Sequence, residues 1–290
     1  MYSGIGSESC LGSKLLIMTK PLLAILLLLP LFVSAGNSKL TSPRLISAFF
    51  GLDNALPFRA NIICLGASGA DGMPVILSKT IPSDSLRKEQ FQVITALGEL
   101  RTPKCVTLRP ASDPGENRTV LLIGEFGDSP NNPPVSVRIV EDLLSDTSPP
   151  VNFKGAEVKV TPLGDGPSLV FAESLPESEW HRKGNGTLCP KDSLRQVIRV
   201  TWSGGVRLPN GDEPGDTERS LYTIVIDRGD GSRDEINPFA IAELGDSDNN
   251  HFLCLSSSDP AMSVTFPAGN FVDPNQDLNP ETSIMLEHRP

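Results

Sequence analysis

Two short runs of oxygen-bearing side chains are the residues of this chain best suited to chemistry. The first is Gly245-Asp246-Ser247-Asp248-Asn249-Asn250-His251, which offers Asp246, Asp248 and Asn250 as ligands. The second is Asp273-Pro274-Asn275-Gln276-Asp277-Leu278-Asn279-Pro280-Glu281, in which Asp273, Asn275, Asp277, Asn279 and Glu281 recur at every second position. Calcium takes about 6–8 oxygen ligands, and alternating Asp and Asn in a turn point several of them inward. Neither run matches an EF-hand loop, because the central glycine and the closing bidentate glutamate are not in place. Asp, Asn and Pro are also the ordinary residues of turns, where their side chains bond nearby amides, and that is their more frequent use. Calcium is the one cofactor these residues suggest.

Catalysis has less to stand on. The histidines are His181, His251 and His288, and no nucleophile elbow, zinc-protease helix or phosphate loop accompanies them. His251 beside Asp248 is the one local metal or acid–base pairing. A carboxylate pair could serve a glycosidase, but with 35 acidic residues any pair chosen from sequence is arbitrary. Trp180, Trp202 and Tyr222 could stack on sugar rings, although core packing is the commoner fate of such aromatics. Arg228-Gly229-Asp230 is the tripeptide read by integrins, and it also has the composition of a hairpin turn. The leading function is therefore a non-catalytic extracellular binding or structural protein. The competing class is a secreted hydrolase on a β scaffold using a metal or carboxylate site.

The compartment follows from the leader. Lys20 precedes an apolar run, Pro21 to Ala35, with Val33 and Ala35 at the small positions before polar Gly36-Asn37-Ser38. This is the pattern of a signal peptide cut after Ala35, and it is shorter than the roughly 20 residues of a membrane span. The protein is expected to be secreted. An uncleaved leader holding it to a membrane is the minority alternative. Of the five cysteines, Cys10 leaves with the leader, and Cys64, Cys105, Cys189 and Cys254 remain. An even number in a secreted chain implies two disulfides, and Cys64–Cys105 with Cys189–Cys254 keeps each within one half of the chain. Asn117-Arg118-Thr119 and Asn185-Gly186-Thr187 are acceptors for N-glycosylation, at Asn117 and Asn185, if the source is eukaryotic.

The elements that must position these residues read as strands. Runs at 58–64, 73–78, 91–95, 104–108, 118–126, 134–140, 156–161, 168–172, 196–202, 221–227, 239–244, 251–255 and 262–266 are rich in β-branched residues. They are separated by turn signals at the spacing of a sandwich. The one helical candidate is Ser83–Gln90, and Asp146–Pro150 looks like a linker or long connection. The net charge of -10 opposes binding to nucleic acid or anionic lipid.

The segment Pro74-Val75-Ile76-Leu77-Ser78-Lys79-Thr80-Ile81, followed by Ser85-Leu86 and Phe91-Gln92-Val93, resembles bacterial Ig-like repeats over roughly residues 58–140. That resemblance implies an Ig-like sandwich and says nothing about chemistry. The expected architecture is all-β, with a signal peptide (1–35) and two Ig-like sandwich modules (36–148 and 149–290). The expected partner is an extracellular protein or glycan, with no nucleic acid, and no membrane once the leader is removed.

Overall fold

Several strands of this chain, Phe91–Thr95, Pro134–Ile139 and Thr223–Asp227 among them, follow an alternation of apolar residues, which puts one set of side chains on one face of a sheet. The structure is a computed structural model and describes residues 42–287. The expected leader, its cut after Ala35, Cys10 and His288 lie outside the described residues. The first strands are β1 (Leu45–Phe49), β2 (Asp71–Leu77), β3 (Phe91–Thr95), β4 (Leu100–Arg101), β5 (Cys105–Thr107), β6 (Thr119–Gly124), β7 (Pro134–Ile139) and β8 (Glu157–Thr161). They form one sheet in the order β4-β3-β7-β8-β1-β2-β6-β5. Its pairings are antiparallel except that of β1 with β8, which is parallel with Ala48 opposite Val160. Phe91 and Val93, Val120 and Leu122, and Val137 and Ile139 turn the same way at period two into one buried cluster. Each such side chain contributes roughly 1.5–3 kcal/mol by leaving water.

The later strands are β9 (Leu169–Ser174), β10 (Gln196–Trp202), β11 (Thr223–Asp227), β12 (Arg233–Ile236), β13 (Ala240–Ala242), β14 (Asn250–Leu255), β15 (Ala261–Phe266) and β16 (Thr282–Met285). They make two four-stranded sheets, β13-β14-β10-β9 and β12-β11-β15-β16. Ile198, Val200 and Trp202 of one sheet pack with Ile224, Ile226, Val264 and Phe266 of the other. Trp202 stands edge-on to Phe266 and Phe271, and its Nε1 donates to the Tyr222 hydroxyl at 3.1 Å. Helix is confined to short 3-10 turns and the single turn Asp216–Arg219 among the described residues. The all-β expectation is met, and the changeover between sheets falls between Thr161 and Leu169.

Residues 58–64 were expected to be a strand, and Phe58–Ile62 is a 3-10 helix. The Pro57 carbonyl accepts from the Ala60 N–H, and the Ala60 carbonyl accepts from Cys64, so the backbone bonds are satisfied locally. The segment buries Ala60 and Cys64 and leaves Phe58 and Ile62 in solvent. At 83–90 the helical expectation resolves into two 3-10 turns, with Gln90 Oε1 accepting from the Arg87 N–H at 2.7 Å. Asp146–Pro150 is a turn closed by Ser145 N–H to the Val151 carbonyl, and β8 beyond it returns to the first sheet.

Both disulfides form in the expected pairing. Cys64–Cys105 ties the 3-10 segment to β5, and Cys189–Cys254 ties the loop before β10 to β14. Two bridges suggest an oxidising, extracellular environment. No helix among the described residues is long and apolar enough to cross a membrane.

Candidate metal centre

Three loops meet where the first sheet approaches the β13–β14 end of the second. The loop joining β5 to β6 carries Asp113 and Glu116, and its turn closes with Glu116 N–H donating to the Asp113 carbonyl at 3.0 Å. The loop joining β13 to β14 carries Glu243, Asp246 and Asp248. Glu243 and Ser247 hold left-handed backbone at φ 60° and 65°, a conformation that non-glycine residues rarely adopt. Between them runs Gly184-Asn185-Gly186-Thr187. Thr187 exchanges backbone hydrogen bonds with Glu243 and Leu244, at 2.9 and 3.1 Å. Gly184 and Gly186 are required by close approach: a β-carbon at either would collide with Asp113 or Glu243.

Asp113, Glu116, Glu243 and Asp246 each bring one oxygen within 4.8 Å of the others. Asp248 lies against Glu116. These groups differ sharply in what satisfies them. Asp113 accepts from the Asn185 N–H, from Asn185 Nδ2 at 2.6 Å and from the Gly186 N–H at 3.4 Å. Asp248 accepts from the Asn250 N–H at 2.7 Å and from Asn250 Nδ2 at 3.2 Å. Glu116 is 1 % exposed, and neither of its oxygens meets a donor; Asp246 Oδ2 is orphaned in the same way. Arg199, whose charge acts on Glu116, is itself buried and donates to Glu173, which also receives Arg118. Arg118 in turn lies over the Phe171 ring at 4.1 Å.

Such a group of carboxylates resists ionisation. Burial, then Asp248 and Glu243, push the Glu116 carboxyl far above the usual range. Burial, then contact with Asp113 and the charge of Asp246, raise Glu243 to about 8. Burial and Asp248 raise Asp246 to about 6. Burial also raises Asp248, against the pull of the Asn250 donors. Buried carboxylates persist when they are protonated, paired or bound to a metal. A cavity of about 10 Å³ lies among Asp113, Glu116, Glu243 and Arg199. That is close to the smallest space one water-sized occupant needs. The cluster can hold a metal ion. An all-oxygen donor set without Cys or His suits a hard cation and not zinc.

The structure sorts the sequence candidates. Asp246 belongs to the cluster and Asp248 adjoins it. Asn250 instead sits in β14, where its Oδ1 accepts from Thr201 Oγ1 at 2.7 Å. No carboxylate of the second run enters the cluster. There the side chains bond their own turn: Asp273 Oδ1 accepts from Asp277 N–H at 2.9 Å, and Asn275 Nδ2 donates to Asp277 Oδ2 at 2.7 Å. Asn279 Oδ1 takes the N–H groups of Asn270 and Phe271, and Glu281 is exposed. Asn117 is half-buried, and Asn185 is exposed with its amide turned to Asp113.

Other candidates separate from this site. His251 is buried and faces Tyr222 and Phe271, and its Nδ1 is 2.8 Å from the Tyr222 hydroxyl. Burial lowers its pKa to about 4. His181 is exposed. Trp202 and Tyr222 are core residues, not a sugar-binding lip. Arg228-Gly229-Asp230 does form the hairpin turn between β11 and β12, with Arg228 held by Asp234 and Asp259.

Asp113, Glu116 and Glu243 went unrecognised in the sequence. Asp113-Pro114-Gly115-Glu116 reads as an acidic turn, and no spacing relates it to residues 243–248. Neither a family model nor a curated protein matches this chain.

Proposed function

We propose that the chain is a secreted, non-catalytic extracellular binding or structural protein of two Ig-like modules, clamped by one calcium ion. Asp113, Glu116, Glu243 and Asp246 would hold the ion, with Asp248 beside them. The observation that carries this reading is Glu116, a fully buried carboxylate with two orphaned oxygens facing other carboxylates. Protonation or a bound cation relieves it, and a cation relieves all the neighbours together. The ligands come from loops far apart in sequence, so an ion here would cross-link the β5–β6 loop to the β13–β14 loop. A rigid clamp of this kind suits a module that presents its surface to a protein or glycan outside the cell. The oxidising setting suggested by the two disulfides agrees with that compartment.

Thermal unfolding of the secreted protein in millimolar calcium and in excess chelator tests the reading. Calcium at ten times its dissociation constant stabilises by about 1.4 kcal/mol and raises the midpoint by a few degrees. Glu116→Gln should remove the shift, and Asp277→Asn should keep it. An unchanged midpoint in the parent protein would overturn the calcium reading.

A further inference from the structure

A second cavity, of about 290 Å³, opens beside the β13–β14 loop. This is just below the roughly 300–1,000 Å³ that ligand sites span. Its walls come from both sides of the molecule: Phe49, Leu56 and Leu121 from the first, Gly205 and Pro274 from the second. The polar side chains that the second side adds are already occupied. Asn249 Nδ2 donates to the Trp202 carbonyl at 2.7 Å, Ser247 Oγ accepts from Arg207 at 2.7 Å, and Asp248 is held by Asn250. Two lining residues differ. Arg109 is an exposed residue of the lining that bonds only through its backbone N–H, to Thr107 Oγ1, and its guanidinium has no protein partner among the described residues. Thr119 is 6 % exposed, and its buried Oγ1 has no hydrogen-bond partner.

We propose that this cavity binds a small amphipathic anion, a carboxylate on a short acyl chain or ring. The apolar part lies against Phe49, Leu56 and Leu121, and the carboxylate takes the Arg109 guanidinium and the Thr119 hydroxyl. The uncommitted groups select this class. Both are donors, one is cationic, and a carboxylate oxygen accepts from each. A buried hydroxyl without a partner is costly, and a ligand oxygen removes that cost. An uncharged hydrocarbon would leave both donors as they are, and an ammonium would meet Arg109 with like charge; the one acidic side chain of the wall, Asp248, is buried and turned to Asn250 and Glu116. The proposal does not depend on calcium.

Calorimetric titration of the secreted chain with octanoate, octanol and octylammonium tests it. Octanoate should bind at one saturable site, at least tenfold tighter than octylammonium and tighter than octanol. Arg109→Gln should weaken octanoate about tenfold or more, and Thr119→Val several-fold. Gly205 lies at an open part of the wall, where an added β-carbon meets nothing closer than the Asp248 carbonyl at 3.6 Å. The β-carbon of Gly205→Leu is thus accommodated, and its side chain takes up cavity space and should abolish binding. The melting curve of each variant shows whether it folds; if Gly205→Leu fails to, Arg109→Gln and Thr119→Val decide. Equal affinity for the three probes, absent binding, or octanoate binding indifferent to Arg109→Gln would overturn the proposal. Calcium titration of the same samples reports the cation site separately.

Discussion

Glu116 and Asp248 press carboxyl against carboxyl in the buried seam where the β5–β6 loop meets the β13–β14 loop, with no donor reaching Glu116. Two ionised carboxylates in that position repel strongly, because the surroundings screen them poorly. The contact is tolerated as a shared proton or as two sides of a cation site. Glu116→Gln separates these cases. The amide supplies a donor to the facing carboxylate without having to hold a proton that the unfolded chain would release. In chelator the variant should be more stable than the parent by about 1 kcal/mol or more, and in calcium it should lose the calcium-dependent shift. A variant less stable in chelator would mean that Glu116 is already satisfied.

The pH dependence should differ with and without calcium. Glu243 titrates at about 8 in the folded protein, above its usual 4.5, so the folded state retains its proton where the unfolded chain has lost it. That contribution is complete below about 4.5 and is lost as pH rises through about 8. Asp246 adds the same trend up to about 6. His251 acts in the opposite sense: its folded pKa of about 4 lies below the usual 6.5, so its stabilisation is lost as pH falls through that interval. The chelated protein should therefore weaken on both sides of mildly acidic pH. Calcium ligands must shed their protons, so the calcium shift should grow from pH 5 to pH 8. Melting scans at matched pH values check both trends.

The two bridges make a direct count. Unreduced, denatured protein should show no free thiol from Cys64, Cys105, Cys189 or Cys254, so a thiol found in a chain that carries Cys10 belongs to that residue. Replacing Cys189 and Cys254 together by alanine should cost roughly 4 kcal/mol for a loop of this length, read from denaturant unfolding.

Tyr222→Phe removes the hydroxyl shared by Trp202 Nε1 and His251 Nδ1. Both nitrogens are then buried without that partner, at a cost of about 1–3 kcal/mol for each unsatisfied group. A loss near 2 kcal/mol in chemical unfolding, followed by tryptophan fluorescence, is expected. A neutral result would mean that the two rings find other partners.

The sequence made the strands legible and the seam illegible. Alternation exposed β3, β7 and β11, which bury one face, and continuous apolar or β-branched runs exposed β6, β10 and β14, which are buried on both. It missed β12, where Arg233, Asp234 and Glu235 are all exposed on an edge and leave no hydrophobic period. It misread Phe58–Cys64, whose large side chains Phe58 and Ile62 face water while local backbone bonds close a 3-10 turn. The run at 245–251 drew attention to Asp246 and Asp248, yet their partners Asp113 and Glu116 lie in another loop. Only the folded arrangement of sheets brings those loops together. Local periodicity reports which face of a strand is buried and carries no information on which loops meet across a seam.

The parallel pairing of β1 with β8 bears on the order in which the chain can be completed. As the polypeptide emerges, β1 can pair with β2 on one edge, but its other edge waits until residues 157–161 arrive. An unpaired strand edge is a template for adventitious pairing with other chains. The first sheet is thus sealed late in synthesis, by a contact between distant segments, and such contacts are slow to form. Passage through a secretory channel would deliver the two edges in that same order, so a holding factor should be most useful after β7 has emerged and before β8 closes the sheet.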